Sequence, residues 1–280
     1  MHLIALKSPG AIFFLICGLT VRWYGIMIAA GFLCAAYFAG RLARRWGLNA
    51  DAMVNLGLVA FLGGVLGARL YFVALNLDSY LQRPQDILAT WLGGMSIHGG
   101  IIGGLLCGIV YAQTIKLGQL RRYADIFGVV LPLGQAIGRW GNFFNSEAFG
   151  APVPDGFPVA LSIPASARPS QFATVEFFHP AFLYESLFDL AIFLLLYFWG
   201  AARLQRYPGV CFLVYVALYS LGRLLIEPLR TDSIMAGQIA VPIIASAISL
   251  VGALALIPFF VGKANKENAA LSIPATASEQ

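Results

Sequence analysis

The thirteen residues Gly138–Gly150, GRWGNFFNSEAFG, set an arginine, two asparagines and a glutamate between apolar flanks. Two further arginines, Arg69 and Arg223, also lie in stretches that read as buried in a membrane. A charge at the centre of a bilayer costs at least ~2.5–3.5 kcal/mol, so such arginines face a partner or a polar cavity. The guanidinium is planar and always charged, and its donors form a fork that matches phosphate. The stretch therefore predicts a membrane protein that handles an anionic headgroup.

Composition agrees with the membrane half of that reading. Hydrophobic residues make up 59% of the 280 and charged residues 11%, against about 25% charged in an ordinary soluble domain. The net charge of +5 is spread over loops. It carries orientation rather than a nucleic-acid footprint. Cys17, Cys34, Cys107 and Cys211 lie in apolar segments without CxxC or Cys/His spacing, so neither a metal site nor a disulfide framework is expected. The apolar run Ala11–Leu19 after Lys7 lacks the small residues of a cleavage site. It reads as an uncleaved interfacial element.

Seven segments are long and apolar enough to cross a bilayer at ~20 residues each. They fall at about 23–40, 52–74, 95–115, 124–145, 181–200, 209–227 and 238–261. The chain is thus expected to be an all-α polytopic membrane protein. Arg41, Arg44 and Arg45 follow the first span; Lys116, Arg121 and Arg122 the third; Arg203 and Arg206 the fifth; Lys263 and Lys266 the seventh. Alternating spans put all of these on one side, so the N-terminus is expected outside and the C-terminus in the cytoplasm. Residues 1–262 then form a single transmembrane domain, with 146–180 a small extracytoplasmic cap whose β-leaning parts are Phe157–Ile163 and Ala173–Phe178. Residues 263–280 read as a disordered cytoplasmic tail. With this orientation Tyr24, Arg69, His98, Arg139–Glu147, Arg223 and Glu227 converge on the outer half of the bilayer.

Each polar group has two readings. Arg139 with Asn142, Asn145 and Glu147 is a headgroup site, with the amides donating to phosphate or glycerol oxygens; alternatively Glu147 neutralises Arg139 at a helix end. Tyr219, Arg223, Glu227 and Arg230 share one helix face. There Arg223 and Glu227 suit an i,i+4 pair, and Glu227 can orient Arg223 toward a ligand. His98 in GGMSIHGGIIGG is a candidate acid–base residue or a packing donor. Gly100, Gly104 and Gly108 make two GxxxG steps, whose ordinary meaning is close helix packing. Ser96 lacks the GxSG pattern of an intramembrane serine protease. Asp189 is a buried carboxylate in need of a partner, which Arg69 or Arg223 could supply. Asp125 opens the fourth span, where a helix N-terminal role is the simplest account.

Taken together, these residues resemble the prolipoprotein diacylglyceryl transferase family. The resemblance rests first on GRWGNFFNSEAFG, which is similar to the family's signature. Arg22–Gly25, Gly67–Arg69, Met95–Gly100, His179–Pro180 with Tyr184–Glu185, and the Tyr219/Arg223/Glu227/Arg230 face follow in the family's order. It runs from about residue 20 to 262; segment 151–178 matches no pattern of the family. The resemblance implies transfer of the diacylglyceryl group of phosphatidylglycerol to the lipobox cysteine thiol of a prolipoprotein. A thioether forms and glycerol phosphate leaves, as the first step of lipoprotein maturation at the bacterial inner membrane. It implies His98, Arg139 and Arg223 as catalytic residues, and Tyr24, Arg69, Asn142, Asn145, Glu147, Tyr219 and Glu227 as substrate-binding ones. No metal or organic cofactor is implied, and the partners are phosphatidylglycerol, the prolipoprotein signal peptide and the bilayer.

The residues taken alone leave two rivals. A carrier of anionic lipids could use the same arginines, but there is no internal repeat, and transport sites tend to lie near the midplane between repeats. A structural membrane subunit would leave the buried arginines without a purpose.

Overall fold

Glycine decides the tightest packing in the chain. The computed structural model describes residues 4–16, 19–90, 93–233, 235–237 and 239–271. The chain forms two compact units, Ala39–Tyr123, and Met1–Phe38 with Ala124–Gln280. In chain order its elements begin with strands β1 (Ile4–Lys7), β2 (Ile12–Ile16) and β3 (Leu19–Arg22). Helices α1 (Trp23–Arg45), α2 (Ala50–Leu75), α3 (Leu77–Gln82), α4 (Ile97–Thr114) and α5 (Leu120–Asn145) follow. Strands β4 (Val159–Ser162) and β5 (Phe177–Phe178) precede α6 (Ala181–Leu194), which passes through a π turn at Leu195–Gly200 into α7 (Ala201–Leu204). The chain continues with α8 (Val210–Ile226), a short hairpin β6 (Met235–Ala236)–β7 (Ile239–Ala240), and α9 (Val241–Leu271).

In the first of these units α2 and α4 pack backbone on backbone. A Cβ on Gly67 would lie 2.8 Å from the Cα of Gly103, and one on Gly63 would lie 2.9 Å from the Gly103 carbonyl oxygen. Gly99 and Gly67 approach more closely still. Any larger residue there must part the helices, which is the physical content of a GxxxG seam. The seam centres on Gly99 and Gly103, with the predicted Gly100 and Gly104 at its edge. Asn49 caps α2 by accepting from the Ala52 N–H at 2.9 Å.

In the other unit α5, α6 and α8 are tied by buried polar bonds. Ser186 Oγ donates to the Ala136 carbonyl at 2.8 Å, and Tyr215 Oη to Gln135 Oε1 at 3.0 Å. Both anchors on α5 lie within about one turn of Arg139. Asp125, fully buried, accepts from the N–H groups of Gly209 at 2.7 Å and Phe212 at 2.9 Å. Its role is therefore at a helix N-terminus as expected, but that of α8 rather than its own helix. Gly209 needs this start, since its φ of 100° favours glycine.

Segment 146–180 carries β4 and β5 near the two expected β-leaning stretches. The N-terminal strand β1 joins them, parallel to β4, in the order β1-β4-β5. The sheet covers its own core of Phe149, Leu161, Ile163, Phe178 and Phe182. Residues 4–7 are thus part of this small layer. Only the antiparallel hairpin β2–β3, with Ile12–Ile16 all exposed, keeps the character of an interfacial element. Cys17 lies outside the described residues.

The protein is mostly helical, and six helical stretches are long and apolar enough to cross a membrane: Trp23–Arg45, Ala50–Leu75, Ile97–Thr114, Ala181–Leu204, Val210–Leu229 and Val241–Ala269. Six of the seven expected spans match these to within a few residues at most ends, the last running longer. The remaining one, the expected fourth span, is α5, a 26-residue helix that falls short of that apolar measure. Arg121, Arg122, Asp125 and Arg139 all lie on it. Helix α9 continues to Leu271, so the expected tail is helical from 263 to 271; residues 272–280 lie outside the described residues.

Candidate functional site

One carboxylate organises the site. Glu185, on the first turns of α6, is 3% exposed and meets three arginines. Arg139 Nε from α5 lies 2.9 Å from Oε2. Arg223 Nη1 from α8 and Arg230 Nη1 from just beyond it both bind Oε1, the latter at 3.2 Å. Arg223 Nη2 also binds Glu227 Oε2, the i,i+4 pair expected from the sequence. Ser233 donates to the other oxygen of Glu227 at 2.7 Å. Arg230 forks onto Asp232 with bonds of 3.0 and 2.9 Å. Burial works against the charge of Arg230, but the Asp232 hydrogen bonds and the neighbouring Glu185, Asp232 and Glu227 outweigh it and raise its pKa.

The signature itself folds so as to reach this node. Helix α5 ends at Asn145, and Ser146 and Ala148 adopt left-handed backbone with φ of 54° and 56°. Such conformations are uncommon outside glycine and gather at functional sites. The turn presents Glu147, whose Oε1 accepts from Asn142 at 3.0 Å and Asn145 at 3.2 Å. The alternative in which Glu147 neutralises Arg139 is thus not what forms: Glu147 takes the two amides and Arg139 takes Glu185. Gly150 closes the stretch between two other segments of the chain. Its N–H bonds the His179 carbonyl at 2.9 Å, and a Cβ there would fall 2.7 Å from that of His179 and 3.0 Å from the Leu229 carbonyl. The start of α6 and the end of α8 are thereby fixed beside the end of α5. His179 itself is structural: Phe157 packs edge-on at 4.7 Å and Nδ1 meets Tyr184 Oη at 3.3 Å. Burial lowers its pKa below the ordinary 6.5, which keeps the ring neutral.

Tyr24 opens α1 and packs on the signature, since a Cβ on Gly141 would sit 2.7 Å from its ring. Trp23 stacks on Phe144 at 4.5 Å. Tyr219, one turn before Arg223, lines a cavity with Arg139, Glu185 and Arg223. The structure therefore gathers Arg139, Arg223, Tyr219 and Glu227 into one cluster, with the Asn142/Asn145/Glu147 turn at the end of the same helix as Arg139.

Arg69 and His98 belong to the other unit. Arg69, 5% exposed, spends its donors on backbone carbonyls: Nε on Ile87 at 2.8 Å, Nη1 on Gly93 at 2.6 Å and Gly94 at 2.8 Å, Nη2 on Asp86 and Ala89. It also lies 5.3 Å over the Tyr80 ring. Those contacts make it a latch for the backbone at residues 86–89 and 93–94, not an open anion fork. His98 stands exposed on the first turn of α4, with the Tyr71 ring 6.5 Å away.

Sequence reasoning placed Arg230 on the Tyr219 face and Glu185 in a matched motif, but gave neither a role in the site. The available signal was charge: half-buried arginines in apolar surroundings need carboxylates, and Glu185 and Asp189 lie one turn apart on an apolar helix. By contrast with Arg69, no acceptor among the described residues is bonded to Nη1 or Nη2 of Arg139. A guanidinium held at Nε with its terminal fork unspent can take an oxyanion in bidentate fashion. Among the described residues no group of three or more His, Cys, Asp or Glu could hold a metal ion.

Comparison with known proteins reaches the same stretch of chain. The family model for prolipoprotein diacylglyceryl transferase matches residues 11–259. A protein of Trichormus variabilis named phosphatidylglycerol–prolipoprotein diacylglyceryl transferase is 45% identical over 249 residues, covering 88% of this chain and 86% of its own. Proteins of the same name from Synechococcus elongatus and Thermotoga maritima are 42% and 43% identical, covering 89% and 84% of this chain and 87% and 79% of theirs.

Proposed function

Because the chain belongs to the prolipoprotein diacylglyceryl transferase family, we propose that it moves the diacylglyceryl group of phosphatidylglycerol onto the cysteine thiol of a prolipoprotein lipobox. The observation that carries this reading is the Glu185 node, which holds Arg139 by Nε and leaves its Nη fork for a phosphate. In the reaction the cysteine sulfur attacks a glycerol carbon. The carbon–sulfur bond forms as the bond from that carbon to the phosphate oxygen breaks. Glycerol phosphate leaves with one more negative charge, and the thiol proton passes to a base.

Arg139 and Arg223 supply fixed positive charge where that negative charge grows, in a site closed to most water. Glu185 and Glu227 keep both guanidiniums in place before the lipid arrives. Glu147, exposed and fixed by Asn142 and Asn145, accepts hydrogen bonds from the headgroup glycerol. Tyr24 and Tyr219 border the lipid glycerol. His98 takes the thiol proton, an imidazole being the side chain best matched to that exchange near neutral pH. The nucleophile is the substrate's thiolate, so no cysteine of this chain takes part.

We further infer that α5 crosses the bilayer with the six apolar stretches. Seven spans put Arg41, Arg44, Arg45, Lys116, Arg121, Arg122, Arg203, Arg206, Lys263 and Lys266 in the cytoplasm of a bacterial inner membrane. Chemistry and the 146–180 layer then face outward.

Purified protein given labelled phosphatidylglycerol and a lipobox peptide tests the function. The expected result is a thioether-linked diacylglyceryl peptide with release of glycerol phosphate. Movement of lipid between leaflets with no such product would establish a carrier instead.

A further inference from the structure

Asp189 sits one turn beyond Glu185 on α6 and is 3% exposed. Residues four apart share a helix face, and the two carboxyl groups line one cavity of about 10 Å³ together with Arg139, Phe188, Tyr219 and Arg223. Two buried oxygens at this cavity have no hydrogen-bond partner: Glu185 Oε2, which faces Arg139 Nε off the bonding direction, and Asp189 Oδ2. Arg139 lines the cavity but is not bonded to Asp189 Oδ2, and the other nearby cations and Tyr215 are committed elsewhere. Arg223 serves Glu185 and Glu227, Arg230 serves Glu185 and Asp232, and Tyr215 serves Gln135.

An ionised Asp189 would be a buried charge with Arg139 and Arg223 nearby but an oxygen that no donor bonds, which is unfavourable. Two carboxylates that share a small buried site do not both ionise. Glu185, in contact with three guanidiniums, is the one that keeps its charge. Asp189 in its neutral form has one O–H to donate, and the unmatched acceptor at the same cavity is Glu185 Oε2. The charge balance agrees. Arg139, Arg223 and Arg230 are offset by Glu185, Glu227 and Asp232, so a fourth carboxylate would turn the cluster negative and repel a phosphate.

We propose that Asp189 is a positioning residue which, as a neutral acid, hydrogen-bonds Glu185 directly or across the one-water cavity and so holds the arginines in register. The proposal rests on the transferase reading for its kinetic arm and on nothing but the fold for its spectroscopic arm.

The test compares Asp189→Asn and Asp189→Leu in the full-length enzyme, with transfer kinetics on phosphatidylglycerol and infrared spectra of the purified protein. Asparagine keeps the neutral donor, so Asp189→Asn is expected to retain wild-type kcat and KM. Leucine keeps the branched shape, with somewhat more bulk, and lacks the donor, so kcat is expected to fall on the order of tenfold with little change in KM. The wild type minus Asp189→Asn infrared difference should contain the carbonyl stretch of a protonated carboxylic acid. Loss of turnover in Asp189→Asn equal to that in Asp189→Leu would overturn the proposal, because an ionised or proton-donating Asp189 would then be required. Wild-type turnover in Asp189→Leu, or no carboxylic-acid band, would overturn it as well. Should Asp189→Leu fail to fold, the asparagine variant and the spectrum still decide. Should the wild type make no thioether product, the function reading fails while the spectrum still decides the state of Asp189.

Discussion

Arg69 and Arg139 look alike in the sequence, each an arginine inside a stretch that reads as buried in a membrane, yet the structure uses them in opposite ways. Arg69 bonds only backbone carbonyls of one loop, with every nitrogen of its guanidinium engaged. Arg139 meets a carboxylate through Nε alone. The loop carbonyls around Arg69 carry partial charge and are satisfied by it, so nothing remains to recruit an anion. The node around Glu185 is made of full charges whose geometry leaves a donor fork over. An arginine whose donors are all consumed is thus a poor anion site, and Arg139 is the one proposed for the phosphate.

The contrast can be broken first at its centre. Glu185→Gln leaves three guanidiniums facing an amide, and losing one partner of a buried ion pair costs about 3–5 kcal/mol. Transfer should be abolished and the thermal unfolding midpoint in detergent should drop. A stable, active Glu185→Gln enzyme would show that the node is not what orders the site. Arg139→Lys keeps the charge but not the fork. Turnover should fall about 100-fold, the order seen when one donor to a developing oxyanion is removed, while folding is retained. Near-normal turnover would reduce the requirement to charge alone.

His98 belongs with Arg69 by location and with Arg139 by proposed role, so it sharpens the comparison. His98→Asn should lower turnover about 100-fold, since an amide cannot act as a base near neutral pH. The remaining rate should climb with pH as the peptide thiol, with a pKa of about 8.5, ionises unaided. A pH–rate series with saturating lipid decides it: an unchanged profile assigns thiolate formation to the arginines. The smallest effect on chemistry is expected at Arg69. Arg69→Gln should cost on the order of 3 kcal/mol of stability through lost charge-assisted bonds and raise amide exchange in residues 86–90. KM for phosphatidylglycerol should be unchanged in the folded fraction. A raised KM with normal loop protection would return Arg69 to the lipid site.

The membrane class and the helix positions were legible in the sequence because low charge and span length are local properties. Ala50–Leu75 and Ile97–Thr114 lie within a few residues of where hydropathy alone put them. The Arg223–Glu227 pair was legible for the same reason, being one helical turn long. Glu185 was not, because its partners Arg223 and Arg230 stand 38 and 45 positions away and no periodicity encodes such a contact. The strand at Ile4–Lys7 escaped notice on the same ground: four residues pair with Val159–Ser162 across most of α1 to α5. Arg69 needs a partner on the sequence alone, but which carbonyls it takes depends on how the chain after α3 folds back.

The central claim is that the Glu185-held arginines grip the lipid phosphate, and a structure of the protein with phosphatidylglycerol bound tests it most directly. The account predicts the phosphate within hydrogen-bond reach of Nη1 and Nη2 of Arg139 and beside Arg223, with Arg69 still bonded to the carbonyls at residues 86–89 and 93–94. A phosphate seated on Arg69 and away from Arg139, with the Glu185 node untouched, would contradict it.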